Sequence, residues 1–200
     1  MTDAHAASLG PGPSIATGIP TNKLGMWVFL ASEVMFFTAL IAAYVVLRMS
    51  NPAWPGPEGH ISTWLGACNT FLLLGSSVTM VVAFAQAQAD RPRSATAYLF
   101  ATIVLGAAFL TIKGYEYAAK FHHGIFPSTN VFWSCYFALT GFHGLHVLGG
   151  VIANSWLCIR GLQGRLTPPN AYKLELAGLY WHFVDIVWLL ALFPIIYLFN

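Results

Sequence analysis

Residues 131–159 read VFWSCYFALTGFHGLHVLGGVIANSWLCI. These 29 residues contain no aspartate, glutamate, lysine or arginine. As a helix, the stretch exceeds the roughly 20 residues needed to cross the hydrocarbon core of a bilayer. It therefore predicts a membrane-spanning helix, and its two histidines, His143 and His146, require partners or a function inside lipid.

Four further apolar stretches lie at residues 24–47, 63–85, 95–119 and 176–199. Of the 200 residues, 57% are hydrophobic and only 8% are charged, whereas about a quarter of the residues of an ordinary soluble domain are charged. The helices of a soluble bundle would also carry a polar stripe. We therefore predict an all-α, polytopic membrane protein, an up-and-down bundle of five transmembrane helices.

The charges between the predicted spans indicate an orientation. With a cytoplasmic N-terminus, six lysines and arginines lie on the cytoplasmic side and three on the opposite side. The excess of positive charge on cytoplasmic segments favours this arrangement. We expect residues 1–23 to form a flexible polar tail without the features of a cleavable signal, and residues 24–200 to form one transmembrane domain.

Polar side chains inside the predicted spans are the candidate functional residues, because lipid penalises them. Glu33 lies about a third of the way along the first span, where it predicts either a hydrogen bond between helices or a role in proton movement or a lipid cleft. His143 and His146 are one helical turn apart and share their face with Gly150 and Asn154. This pattern favours hydrogen bonding between helices, since a metal or haem site would need further histidines at the same depth.

The second and last predicted spans also carry polar residues. His182 and Asp185 are three residues apart on the last span, which predicts a local pair that fixes packing or forms part of a proton relay. Asn69 forms a polar stripe with Ser76 and Ser77 on the second span. Hydrogen bonding between helices is the expected role of that stripe.

Glu116 lies between Lys113 and Lys120 near the end of the third span. Mutual pairing and snorkelling of the lysines to the interface would account for these charges. The three cysteines are isolated, and no phosphate-binding glycine loop, nucleophile with a base or cysteine cluster for copper occurs. The sequence predicts no catalytic centre in the chain alone, and its net charge of +2 does not indicate a nucleic-acid partner.

Five motifs follow one another in the chain, one in each predicted span. They are LGMWVFLASEVMFF, NTFLLLGSS, GYEYAAKF, TGFHGLHVLGG and YWHFVDIVWLL. In these motifs the chain resembles subunit III of the haem–copper oxidases, and the resemblance extends over nearly all of residues 23–200.

The resemblance implies a non-redox core subunit of a proton-pumping aerobic terminal oxidase in the bacterial cytoplasmic membrane. It implies direct packing on subunit I, with subunit II and possibly a small subunit IV as further partners. Haem and copper would belong to partner subunits, and this chain would bind phospholipid, stabilise the complex and support proton uptake.

Individual positions follow from the same resemblance. Glu33 matches a glutamate that faces a lipid-lined cleft, and Arg160 resembles an arginine at the inner membrane face that is suited to a lipid phosphate. The other matching positions are Glu116, His143, His146, His182 and Asp185. Many relatives have seven spans, and the two that this chain lacks form one wall of the cleft, so another chain would have to supply that wall.

Several functions remain open at the level of sequence. Within the family the complex could use cytochrome c or a quinol, and the SEV motif favours cytochrome c weakly. A subunit associated with nitric oxide reductases is a third possibility. Outside the family, the chain could act as a stand-alone proton transporter through its buried carboxyl and imidazole groups, or as a haem-binding membrane enzyme.

Overall fold

Five long helices build the computed structural model, which describes residues 20–57 and 61–198. The helices are α1 (Thr21–Ser50), α2 (Thr63–Gln88), α3 (Pro92–His122), α4 (Val131–Leu162) and α5 (Ala171–Val187). Two π-helical turns, Trp188–Leu192 and Pro194–Leu198, prolong α5. All five spans are long and apolar enough to cross a membrane, which confirms the predicted fold class. Residues 1–19 of the predicted tail lie outside the described residues.

Local sequence explains where several helices begin. The Ser62 side chain accepts a hydrogen bond from the Leu65 backbone amide at the start of α2, and Asn130 accepts one from Trp133 at the start of α4. These are ordinary N-terminal caps. Pro92 stands in the first turn of α3, where its missing amide hydrogen costs nothing.

The last helix begins earlier than the sequence predicts. A short 3₁₀ turn at Pro168–Asn170 leads into α5 at Ala171, whereas the apolar pattern placed the start at residue 176. The charged residues Lys173 and Glu175 lower the hydropathy at the start of α5. The apolar pattern in the sequence therefore begins only after them. Glu175 is nevertheless helical and forms an ion pair with Lys23, which stands in the first turn of α1.

The helices run alternately up and down. We call the side on which α1 begins the N-terminal face; the α2–α3 and α4–α5 connections lie there, and the opposite side is the C-terminal face. Helix α2 packs against α3 and α5, and α4 packs against the same two helices. Helix α1 is the outermost: it touches α4 and α5 and buries only Leu30, Phe37 and Tyr44.

A tryptophan from α5 fills the centre of the bundle. The Trp181 ring lies against Gly106 of α3 and Gly150 of α4, and its Nε1 donates a hydrogen bond to Ser76 Oγ of α2 at 2.9 Å. A Cβ atom at either glycine would come within 2.7 Å of a ring carbon. Small residues let membrane helices approach closely, and here they make room for an indole that touches three helices.

This close approach predicts that Gly150→Ala destabilises the bundle by about 1–3 kcal/mol, because the new methyl group overpacks the Trp181 ring. Gly144→Ala is the matched control on the same helix, since nothing lies within 4 Å of a Cβ placed there. Thermal unfolding of the purified protein in detergent, followed by tryptophan fluorescence, compares the two variants. Equal melting temperatures for both would contradict this packing.

Candidate functional site

Glu33 and His146 link α1 to α4. His146 Nε2 lies 2.8 Å from Glu33 Oε2, and His146 Nδ1 lies 2.7 Å from the Phe142 carbonyl oxygen. A carbonyl only accepts hydrogen bonds, so Nδ1 carries a hydrogen. Nε2 then either accepts a hydrogen bond from a neutral Glu33 or, in an imidazolium, donates one to the carboxylate.

The Glu33–His146 pair lies at the edge of the bundle. The two side chains are 17% and 18% exposed, and the rings of Phe36 and Phe37 lie 6.2 and 5.0 Å from the imidazole centre. His143 does not share these surroundings, although the sequence placed both histidines on one face. Of the two, His143 lies in the interior of the bundle and His146 lies at its edge.

Glu116 is at the centre of a buried polar cluster that also contains Lys113, Lys120, Tyr136 and Tyr197. Its carboxylate accepts hydrogen bonds from Lys113 Nζ and Lys120 Nζ, both at 2.8 Å. Tyr136 Oη of α4 donates to it at 2.9 Å. Tyr197 Oη, beyond α5, lies 3.1 Å from Glu116 Oε1 and 2.5 Å from Lys113 Nζ. We call these five residues the Glu116 cluster.

The two lysines of the Glu116 cluster point inward, so the prediction that they snorkel to the interface is wrong. Lys113 is 7% exposed and Lys120 is 4% exposed. Lys113 Nζ lies 4.8 Å from the Trp188 ring centre, and Lys120 Nζ lies 4.9 Å from that of Tyr136. The shared carboxylate and the aromatic faces stabilise the ammonium groups inside the bundle. Sequence reasoning missed both tyrosines, because no local spacing connects them to Glu116.

His143 is fully buried and stacks on Trp188, with ring centres 5.1 Å apart, while the edge of Phe109 meets it at 5.7 Å. Among the described residues, neither of its ring nitrogens has a hydrogen-bond partner, and the same holds for the side-chain amides of Asn69 and Asn154. The expectation that His143 forms hydrogen bonds between helices is therefore wrong in this structure. Its contact with α5 is aromatic stacking.

His182 bonds to α2 and not to Asp185. Its Nδ1 lies 2.6 Å from Ser77 Oγ. The Asp185 carboxyl is buried and makes no hydrogen bond of ordinary geometry with the described residues, although the Ser77 hydroxyl lies within interaction range. The predicted local pair is wrong because the imidazole turns toward the neighbouring helix. The polar stripe on α2 does contact α5, through Ser77 and through the acceptor Ser76.

Arg160 lies near the N-terminal face, at the end of α4. Its guanidinium carbon is 4.5 Å from the Trp156 ring centre. The same tryptophan lines a cavity of about 640 Å³ between α1, α4 and α5. Most of its lining is apolar, including Met26, Phe29, Ile152 and Leu176, and Lys173 is its one lysine. The arrangement offers an apolar groove with Lys173 in its lining and with Arg160 against Trp156, one of its lining residues.

The fold and these contacts define a polytopic helical membrane protein whose buried polar groups connect its helices. No three histidine, cysteine, aspartate or glutamate side chains in residues 20–57 and 61–198 are grouped to hold a metal ion. The family model described as Cytochrome c oxidase subunit III matches residues 13–200. The chain belongs to this family, which forms part of the haem–copper oxidase complexes.

Several curated relatives agree with this assignment. A probable cytochrome c oxidase subunit 3 from Nocardia farcinica is 38% identical over 176 residues, covering 88% of this chain and 86% of the relative. Cytochrome c oxidase subunit 3 from Thermostichus vulcanus is 36% identical, with the same coverage of each chain. Quinol oxidase subunit 3 from Bacillus subtilis is 34% identical, covering 84% of this chain and 82% of the relative.

The geometry of the Glu116 cluster predicts that Glu116→Gln destabilises the protein by about 3–5 kcal/mol, because two buried ammonium groups lose their shared carboxylate. The triple variant Lys113→Met, Glu116→Gln, Lys120→Met removes the charges together and should cost less than the single change. Thermal unfolding of both purified variants measures the difference. A triple variant less stable than Glu116→Gln would mean that the lysines stabilise the fold independently of the carboxylate.

Proposed function

We propose that this chain is the non-redox subunit III of a proton-pumping cytochrome c oxidase in a bacterial cytoplasmic membrane. In this role it packs on subunit I, with subunit II and a small subunit IV in the same complex, and haem and copper belong to partner subunits. Membership of the subunit III family and the cytochrome c oxidase names of two of the relatives support the proposal.

One structural observation carries the proposed accessory role. One ionisable residue from each of four family-like motifs takes part in a link between different helices. Glu33 bonds His146, Glu116 bonds Tyr136, and His182 bonds Ser77. Each link joins a different pair of helices, as a scaffold requires. A catalytic site would instead bring such groups together around one reacting position.

We also propose that the chain binds phospholipid along the groove between α1, α4 and α5. An acyl chain fits the apolar lining, and Arg160 and Lys173 at the N-terminal face suit a lipid phosphate. The Glu33–His146 pair lies farther along the same two helices, α1 and α4. Bound lipid and this pair together would support proton uptake by the complex and prolong its active life.

A quinol oxidase is the second candidate, since the Bacillus subtilis relative carries that name. The two complexes differ in the electron donor. The choice therefore depends on the subunits that accompany the chain.

The proposal predicts that the tagged chain, extracted from its native membrane in a mild detergent, brings down a haem-bearing subunit I. Mass identification and an optical spectrum of the eluate are the measurements. A CuA-bearing subunit II in the eluate indicates cytochrome c oxidase, and its absence indicates quinol oxidase. A chain that elutes alone, folded and without haem absorbance, would contradict the proposal and favour a stand-alone transporter, which flux through liposomes would then test.

Glu33→Ala should leave assembly and the initial rate of oxygen reduction largely unchanged. It should shorten the active lifetime or reduce the retained phospholipid, because α1 loses its bond to His146. Glu175→Ala is the control, since its ion pair with Lys23 joins the ends of α1 and α5. Turnover to inactivation and lipid phosphorus per complex are measured on both. Wild-type endurance and lipid content in Glu33→Ala would count against this role.

A further inference from the structure

Four polar side chains inside the bundle make no hydrogen bond of ordinary geometry with any described residue. They are Asn69 of α2, His143 and Asn154 of α4, and Asp185 of α5, and in each one both side-chain nitrogen or oxygen atoms are unpaired. A buried polar atom without a partner loses the hydrogen bonds that it makes with water in the unfolded chain, and this loss destabilises the fold. Nearly all such groups in folded proteins are bonded to protein or to ordered water. The four side chains therefore indicate a bound partner.

The occupant of these positions has to be small, because the side chains are closed off from the surface of the bundle. Asn69 and His143 are 0% exposed, Asn154 is 1% exposed and Asp185 is 5% exposed. A lipid headgroup or a side chain of a neighbouring subunit could reach them only if the helices separated. A metal ion does not fit either, since no three histidine, cysteine, aspartate or glutamate side chains of the described chain are grouped to hold one.

Water matches the hydrogen-bonding capacity of all four side chains. An amide has donors and acceptors, a neutral imidazole has one of each, and a carboxyl accepts when ionised and also donates when protonated. A partner for all of them must both donate and accept hydrogen bonds, as water does. Buried waters in proteins typically make about three hydrogen bonds to groups that are otherwise unpaired.

Three of the four side chains lie at the level of Trp188. His143 stacks on its ring, with centres 5.1 Å apart. Asp185 precedes it by three residues, about one turn, and both side chains are buried. Trp188 Nε1 donates a hydrogen bond to Thr70 Oγ1 at 3.0 Å, and Asn69 is the neighbour of Thr70 in α2. We call His143, Asp185 and Asn69 the Trp188 site.

Polar side chains connect the Trp188 site with the C-terminal face. Lys113 Nζ of the Glu116 cluster lies 4.8 Å from the Trp188 ring centre. Glu116 and Lys120 of the same cluster line a cavity of about 230 Å³ at the C-terminal face, together with Ser62 at the start of α2. Water can enter this cavity from outside the membrane, and the Glu116 cluster lies between the cavity and the Trp188 site.

We propose that bound water molecules occupy the Trp188 site and form hydrogen bonds with its three side chains. A separate water bonds Asn154, which lies about one turn along α4 from Gly150 and its contact with Trp181. The water at the Trp188 site extends the polar network of the Glu116 cluster toward the middle of the membrane and links α2, α4 and α5 there. This inference concerns the inside of the chain and does not depend on which oxidase contains it.

An experimental map of the purified protein, extracted in a mild detergent with any subunits that accompany it, tests the inference directly. At a resolution that shows ordered waters, water density should lie about 2.5–3.2 Å from side-chain nitrogen or oxygen atoms of His143 and Asp185. Hydrogen bonds from these side chains to protein atoms alone, or no water density within that distance, would overturn the inference.

Radiolytic labelling of the same preparation provides a second measurement. A short X-ray pulse splits water into hydroxyl radicals, and radicals formed at the Trp188 site oxidise the adjacent indole although Trp188 is 0% exposed. Mass analysis should therefore find oxidised Trp188 even when a radical scavenger is present in the bulk solution. Absence of this oxidation in the wild-type protein would contradict water at the site.

Two histidine variants show whether the oxidation depends on the Trp188 site. His143→Phe keeps a ring against Trp188 and removes two polar atoms, so oxidation of Trp188 should be largely lost. His146→Phe is the matched control on the same helix, because His146 bonds Glu33 at the edge of the bundle, and it should leave the oxidation unchanged. Equal oxidation of Trp188 in the two variants would overturn the inference.

Discussion

The insertion of Trp181 between α3 and α4 sets the position of α5, and most polar links of the bundle depend on that position. Its indole occupies the space left by Gly106 and Gly150 and bonds Ser76 on α2. With α5 held at this depth, the residue after Trp181 meets α2 as well, and the π-helical turns beyond α5 bring Tyr197 to the Glu116 carboxylate. The packing of Trp181 thus sets where α5 lies, and the polar contacts made by α5 and the turns beyond it depend on that position.

The polar contacts differ in how much they contribute to the stability of the bundle. A hydrogen bond between membrane helices stabilises by only about 0.6 kcal/mol on average, so a single link such as that between His182 and Ser77 orients a side chain more than it holds the fold. The Glu116 cluster is different, because two buried cations depend on one carboxylate and its removal leaves them uncompensated. The Glu33–His146 pair is different again, since it ties the outermost helix to the bundle at a partly exposed edge. The three kinds of contact therefore involve different residues and play different parts.

Hydropathy alone predicted the five spans, because a helix that crosses lipid needs a long apolar stretch and few other folds tolerate one. The polar positions inside the spans were visible for the same reason. The hydrogen-bond and packing partners of these polar residues could not be predicted from the sequence. His143 and His146 differ by about 60° around the helix axis, which is enough to place one beside Trp188 and the other beside Glu33.

Contacts between residues far apart along the chain could be predicted even less from the sequence. Tyr197 is 81 residues from Glu116, and Ser77 is 105 residues from His182. Only the packing of the helices brings these residues together. The first turn of α5 was missed because charge lowered its hydropathy, although Glu175 there is paired with Lys23.

The proposed role assigns this chain to an oxidase whose redox chemistry occurs in other subunits. Selective removal of the chain from the purified complex, followed by an optical spectrum and by oxygen consumption over time, is the decisive test of that role. We expect an unchanged haem spectrum and a substantial initial rate that decays faster than in the intact complex. Loss of haem absorbance together with the chain would contradict it.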